Sequence, residues 1–248
     1  DADKAFIARA MMVPSESELV EMLEPGTVDP DVVKAARKFV MKSLAADLRP
    51  LLEETAKANS APAYKNEPAD RAMRSLKNMC MGYLSYVNEP EVAKDALERY
   101  QNADNMTDKI ATLSALSNKV CAERDTAFDA FYQEWQNDPL VVCKWLSLQA
   151  SSGIPNNLDN VKALLKHPAF DIKVPNKVYS LIGGFMSNPT TFHQKDGQGY
   201  EFLADVILQL NEINQQVAAR MAGGFTRWRK YDPSRQALMK KQLERIIA

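Results

Sequence analysis

Catalysis at neutral pH ordinarily calls for a titratable pair or a bound metal, and this chain carries two histidines, His167 and His193. Neither opens an H-E-x-x-H motif. His167 is followed by Pro168 and His193 by Gln194, so no helix presents two imidazoles one turn apart to zinc. There is no G-x-S-x-G elbow, P-loop or G-x-G-x-x-G. The doublets Gly183-Gly184 and Gly223-Gly224 stand alone and read as close helix contacts or helix breaks. His193 and Asp196 offer two metal ligands without a third, and the plainer reading is a loop histidine hydrogen-bonded to backbone or to Asp196. Glu53 and Glu54 read as a solvated helix face. Arg227-Trp228-Arg229-Lys230-Tyr231 interleaves bases with aromatics, as nucleic-acid surfaces do, or complements a helix C-terminus while packing. With 31 basic and 32 acidic residues, a formal charge of −1, no net field gathers phosphates or anionic lipid, which favours the second reading.

The elements that position these residues read as helices throughout. Only 9 glycines occur in 248 residues, and no stretch alternates apolar and polar residues long enough to propose a half-buried strand. Val33, Ala36, Val40, Leu44 and Leu48 fall at spacings of three and four, the stripe an amphipathic helix buries. The pattern returns in Met73, Leu76, Cys80, Tyr83, Leu84 and Val87, in Val92, Ala96 and Tyr100, and in Ile110, Leu113, Leu116 and Val120. Phe128, Phe131, Tyr132 and Trp135 form the next stripe, then Val142, Trp145, Leu146 and Gln149. Further helices are predicted at 157–166, 177–186, 198–211, 214–222 and 233–247. Their starts share a punctuation: Asp29-Pro30, Glu67-Pro68, Glu89-Pro90, Asp138-Pro139 and Asp232-Pro233. Proline at the first helical position gives up an N–H that has no intrahelical partner anyway, and an acidic residue before it complements the positive end of the helix dipole. Ser15-Glu16-Ser17-Glu18 predicts a capping box.

Helices joined by short loops, in pairs recurring loosely every 35 to 45 residues, match the period of HEAT and armadillo arrays. The expected fold is all-α, an α-solenoid or superhelix of antiparallel helix pairs. Residues 58–68 are the best loop candidate, followed by 150–157 and 187–198. None is low-complexity enough to serve as a domain linker, so 1–248 is expected to be a single domain. Cys80, Cys121 and Cys143 have no C-x-x-C spacing and read as free, buried thiols rather than a disulfide framework. No apolar run is long enough to span a bilayer, and Asp1-Ala2-Asp3-Lys4 lacks a signal-peptide pattern, so a cytoplasmic-type chain without a membrane partner is expected. The chain starts without Met in what reads as helix, as a processed product or a piece of a longer polypeptide would.

The segment 131–150, with Phe131-Tyr132-Gln133-Glu134-Trp135, Asp138-Pro139 and Lys144-Trp145-Leu146, resembles the C-terminal helical domain of the aminopeptidase N (alanyl aminopeptidase) family of zinc metallopeptidases. Other stretches agree in order: Ala103-Asp104-Asn105-Met106-Thr107-Asp108, Leu165-Lys166-His167-Pro168, Pro175-Asn176-Lys177-Val178-Tyr179-Ser180-Leu181-Ile182-Gly183, Asn188-Pro189-Thr190-Thr191-Phe192-His193 and Arg229-Lys230-Tyr231-Asp232. The likeness is dense from about 100 to 248 and thinner before.

The resemblance implies a parent exopeptidase that removes N-terminal residues from peptides. Its zinc would be held by H-E-x-x-H and a downstream Glu in a preceding domain that this chain lacks. Zinc lowers the pKa of bound water toward about 7 and polarises the carbonyl. This chain is then expected to hold no catalytic residue and no metal, and to be inactive alone. Its implied partners are the catalytic domain of the same polypeptide and peptide substrates, with no nucleic acid and no membrane. The family's C-terminal domain is similar to a superhelix of helix pairs closing over the catalytic domain to wall a peptide chamber.

By the same resemblance, Gln216 and Arg220 match positions facing substrate, where Arg220 attracts a peptide carboxylate and Gln216 bonds peptide backbone. One helical turn separates them, so both can point one way. Tyr179 is a departure, because bacterial members commonly carry Arg immediately before Ser-Leu-Ile-Gly, and losing that cation weakens the pull on carboxylates. Two other readings compete: a free-standing α-solenoid scaffold that binds a protein or peptide, and an autonomous hydrolase using His193 with Asp196. A covered domain predicts a large apolar face, whereas a scaffold predicts a polar groove.

Overall fold

A computed structural model describes residues 3–87 and 89–248; Asp1 and Ala2 of the N-terminal reading, and Asn88, lie outside the described residues. The described residues form α1 (Lys4–Ala10), α2 (Glu16–Met22), α3 (Pro30–Asp47), α4 (Arg49–Ala58), α5 (Pro68–Leu84), α6 (Pro90–Asn102), α7 (Met106–Ser117) and α8 (Ala122–Trp135). There follow α9 (Pro139–Ala150), α10 (Asn157–Leu164), α11 (Pro175–Met186), α12 (Pro189–Phe192), α13 (Gln198–Asn211), α14 (Gln215–Ala222) and α15 (Pro233–Ile247), with short 3-10 turns at Gly223–Phe225 and Trp228–Lys230. The one β feature among them is an isolated parallel bridge between Val28 and Tyr231.

All five acid–proline pairs start helices, by two different means. Asp138 accepts from the Leu140 and Val141 N–H groups, and Asp232 from those of Ser234 and Arg235, each worth about 1 kcal/mol. Asp29 accepts from the Asp31 N–H at 3.0 Å. Glu67 and Glu89 make no side-chain cap, so there the proline and the helix dipole act without one. Ser15 and Glu18 form the predicted capping box in full.

The chain falls into two compact units, residues 1–14 with 35–130, and residues 15–34 with 131–248. In the first, α5 is the central helix and packs against α1, α4 and α7, while α6 packs on α7. Its core gathers Met41, Leu52, Ala56, Leu76 and Cys80. Tyr83 donates its hydroxyl proton to the Met11 carbonyl, and Arg37 Nε donates to the Pro14 carbonyl at 2.8 Å, fastening the chain around α1. Cys80 is buried and Cys121 and Cys143 are half-buried; all three are free, and burial pushes the Cys80 thiol up.

The predicted stripe of α3 is rotated from the observed one. Val33, Met41 and Ala45 are buried, whereas Ala36, Val40 and Leu48 are exposed, and Phe39 is 72% exposed. This helix has apolar residues on more than one side, and the period identifies the sides without saying which is covered. Likewise Val120, placed in the α7 stripe, is exposed beyond that helix's end, and Ala93 replaces Val92 on the buried face of α6.

In the second unit α9, α10 and α11 pack together, α11 touches α14, and α13 packs against α12, α14 and α15. Leu146, Leu181, Ile182, Phe185, Leu203 and Phe225 are all within about 1% of complete burial. Gly184 lets α11 lie against α9, since a Cβ there would stand 3.0 Å from the Ser147 carbonyl oxygen and 3.1 Å from Ala150 Cβ. Residues 187–198, predicted as loop, contain the single turn α12, started by the Asn188 side chain accepting from the Thr191 N–H.

Candidate functional site

The two helices carrying the predicted substrate residues are fixed by their buried faces. On α11, Val178, Leu181, Ile182 and Phe185 point inward and leave Tyr179 half-buried at the edge. On α14, the Asn214 side chain accepts from the Val217 N–H at 3.1 Å, and Val217, Ala218 and Met221 are buried. Gln216, Ala219 and Arg220 are thereby left on the exposed side.

The structure brings Tyr179 and Arg220 together: the guanidinium carbon lies 4.3 Å from the centre of the tyrosine ring. The positive charge is attracted to the negative face of the ring, and the contact leaves the N–H donors for other acceptors. No carboxylate of the described residues pairs with Arg220. Gln216 lies one turn earlier on α14 and is exposed. The group offers a guanidinium, a phenol hydroxyl and a carboxamide, hydrogen-bonding groups of the kind that can hold a carboxylate. Spacing in the sequence carried no sign of the ring contact, because it forms between different helices.

The histidines lie elsewhere. His193 is 5% exposed, and its Nδ1 is 2.8 Å from the Tyr200 hydroxyl, with the Tyr231 ring centre 3.8 Å away. The expected partner Asp196 instead accepts from the Gln198 N–H at 3.0 Å. Burial, reinforced by the nearby positive charge of Arg235, pushes His193 down to about 3, so it is neutral at ordinary pH. Sealed from solvent and hydrogen-bonded to Tyr200 rather than Asp196, it does not fit the hydrolase reading. The 80 or so degrees between the His167 and Tyr132 rings, 4.9 Å apart, place His167 at the edge of a small aromatic group with Trp145. Its Nδ1 accepts from the Ala169 N–H. Among the described residues no group of three or more His, Cys, Asp or Glu is placed to hold a metal ion, so the donor set does not fit zinc.

Arg235 belongs to no motif or stripe that would single it out before folding. It is 1% exposed and meets three carboxylates: Asp232 at 2.6 Å, Asp31 at 2.9 Å and Asp29 at 3.3 Å. Its Nε donates to the His193 carbonyl at 2.7 Å. Burial alone would raise Asp232, but hydrogen bonds from Ser234 and Arg235 outweigh it and hold the acid at about 2. The basic-aromatic run closes the same region. Arg227 pairs with Glu21 at 2.7 Å, and Lys230 Nζ donates to the carbonyls of Glu21 and Leu23 at the end of α2. The run does complement a helix C-terminus, that of a helix some two hundred residues earlier.

The first unit holds a cleft of about 520 Å³ with Met81, Leu84 and Val87 among its apolar lining. Its ions largely satisfy one another: Arg49 bridges Glu53 and Glu89, Arg99 pairs with Asp95, and Lys77 pairs with Asp108. None of the three predicted substrate residues lines it.

The packed helices of the described residues define an all-α protein of the α-solenoid class. The chain belongs to the DUF3458_C family, described as a domain of unknown function with ARM repeats, whose model matches residues 1–248. It is similar to aminopeptidase N of Haemophilus influenzae, 37% identical over 238 residues, covering 95% of this chain and 27% of that protein. It is 36% identical over 247 residues to aminopeptidase N of Escherichia coli, covering 98% of this chain and 28% of that protein. Among solved structures, a crystal structure of Legionella pneumophila aminopeptidase A in complex with aspartic acid matches with a TM-score of 0.90 and 33% identity, over 99% of this chain and 30% of that one. The chain thus spans little more than a quarter of the length of these curated relatives.

Proposed function

We propose that this chain is the C-terminal helical domain of a cytoplasmic-type, zinc-dependent aminopeptidase that removes N-terminal amino acids from peptides. In this reading the domain walls the substrate chamber against the catalytic domain of the same polypeptide, and Arg220, Gln216 and Tyr179 meet the leaving peptide. The zinc chemistry belongs to residues outside this chain; its own residues bind and orient. The observation that carries the role is the Arg220 guanidinium, held over Tyr179 without a carboxylate partner, on a fold whose relatives are named aminopeptidases. Exposed Phe39, Val40 and Leu51 on α3 and α4 also favour a covered domain over a free scaffold, which would show a polar groove.

The test is steady-state kinetics on the full-length polypeptide. Arg220→Ala is expected to raise KM for short peptides with a free carboxylate more than for aminoacyl amides that lack one. Equal effects on both substrates overturn the carboxylate role.

A further inference from the structure

Tyr179 and Arg220 have a feature beside them that the helix packing leaves unexplained. A glycine follows each about one turn further on: Gly183 on α11, four residues after Tyr179, and Gly223 three after Arg220, just past the end of α14 at the start of the 3-10 turn. Residues at these spacings share a helix face. The second glycine of each doublet faces a neighbour: a Cβ on Gly184 would meet the α9 backbone at 3.0 Å, and one on Gly224 would stand 2.6 Å from Met186 Sδ, the movable end of a side chain. The first does not, because a Cβ on Gly183 or Gly223 would meet nothing within 4 Å. Glycine inside a helix is less stable than alanine, so Gly183 weakens α11 for no packing return. What it leaves is bare backbone and open space alongside a held guanidinium, on two helices that touch.

We infer that Tyr179 is a specificity-determining positioning residue: its ring holds the Arg220 guanidinium beside an open floor at Gly183 and Gly223, where a short peptide is taken by its free C-terminal carboxylate. This rests on the reading that α11 and α14 face the peptide. A lone surface arginine samples many rotamers and loses that freedom on binding an anion, whereas one already seated on an aromatic ring has lost part of it beforehand. The ring attracts the cation through its face and takes up no carboxylate-binding N–H, so the receptor is oriented without being consumed. An ion pair with an acidic side chain would hold the arginine equally well and would compete with the ligand.

The experiment compares, in the full-length polypeptide, KM for a tripeptide and for the same tripeptide with a C-terminal amide. Wild type is expected to favour the free acid. Tyr179→Leu should lower that preference about two- to fivefold, the range of an exposed cation–π contact, through a rise in KM for the acid that exceeds any change for the amide. Tyr179→Phe, which keeps the ring face, should restore it. The Tyr179→Leu/Arg220→Ala double variant should match Arg220→Ala. If Arg220→Ala removes the preference while Tyr179→Leu leaves it at the wild-type value, the positioning role is wrong and the carboxylate site stands. If Arg220→Ala leaves the preference intact, the site reading itself fails. A Tyr179→Leu enzyme whose kcat falls equally on both substrates, or a Tyr179→Phe enzyme that behaves like Tyr179→Leu, also overturns the proposal.

Discussion

Two arginines of the second unit, Arg235 and Arg220, show opposite uses of the same side chain. Arg235 is sealed from solvent among Asp29, Asp31, Asp232 and the His193 carbonyl. Arg220 stands at the surface on an aromatic ring with no carboxylate of the described residues beside it. A buried charge is tolerated only with its hydrogen-bonding capacity filled, and once filled it has nothing to offer a ligand. The exposed charge keeps its donors because water satisfies them cheaply and a ring, not an acid, holds it in place. Function is therefore sought at the charge the fold leaves open, and stability at the one it encloses.

That contrast can be broken in order of effect. Arg235→Met should be the most damaging change, costing about 2–4 kcal/mol, because it leaves the buried His193 carbonyl without its donor and three part-exposed carboxylates without their cation. Urea unfolding of the variant against wild type measures it, and a loss under about 1 kcal/mol would mean that the enclosed charge is not what ties residues 15–34 to α15.

Acid should attack the same cluster next. His193 has its folded pKa depressed from 6.5 to about 3, so the unfolded chain binds the extra proton and stability falls as pH drops through that interval, by at most about 1.4 kcal/mol per pH unit. Asp232, held at about 2 against an ordinary 3.8, is present as a stabilising anion above 3.8 and adds to the loss below it. Urea midpoints at pH 7 and pH 4.5 should show the decline, and His193→Gln should flatten it; an unchanged slope in that variant would assign the acid sensitivity to other groups.

The glycine doublet permits a finer comparison. Gly184→Ala should cost about 1–3 kcal/mol, because a methyl pressed against the Ser147 backbone cannot be relieved by rotating a side chain. Gly183→Ala should instead gain up to about 1 kcal/mol from helix propensity. Thermal melts of the pair decide it, and equal melting temperatures would remove the distinction between packed and open positions.

Smallest of all is Arg220→Ala, expected to change stability by less than about 1 kcal/mol, the worth of an exposed cation–π contact. Its effect belongs in KM. A larger drop in the urea midpoint would move Arg220 into the structural class with Arg235.

Helices and their starting points were legible in the sequence because their causes are local. Proline fixes its own φ, Asp138 and Asp232 reach amides two and three residues on, and Ser15 and Glu18 satisfy one another across a single turn. The resemblance to the aminopeptidase family was legible too, and it singled out Gln216 and Arg220. Only the tertiary structure decided which side of α3 is covered, that His193 meets Tyr200 rather than Asp196, and that Asp29, Asp31 and Asp232 converge on one arginine. It also turned Tyr179, read as the loss of a cation, into the seat of another one. These are contacts between elements as much as two hundred residues apart, set by which faces pack. Periodicity along one helix carries no information about the partner that arrives from another.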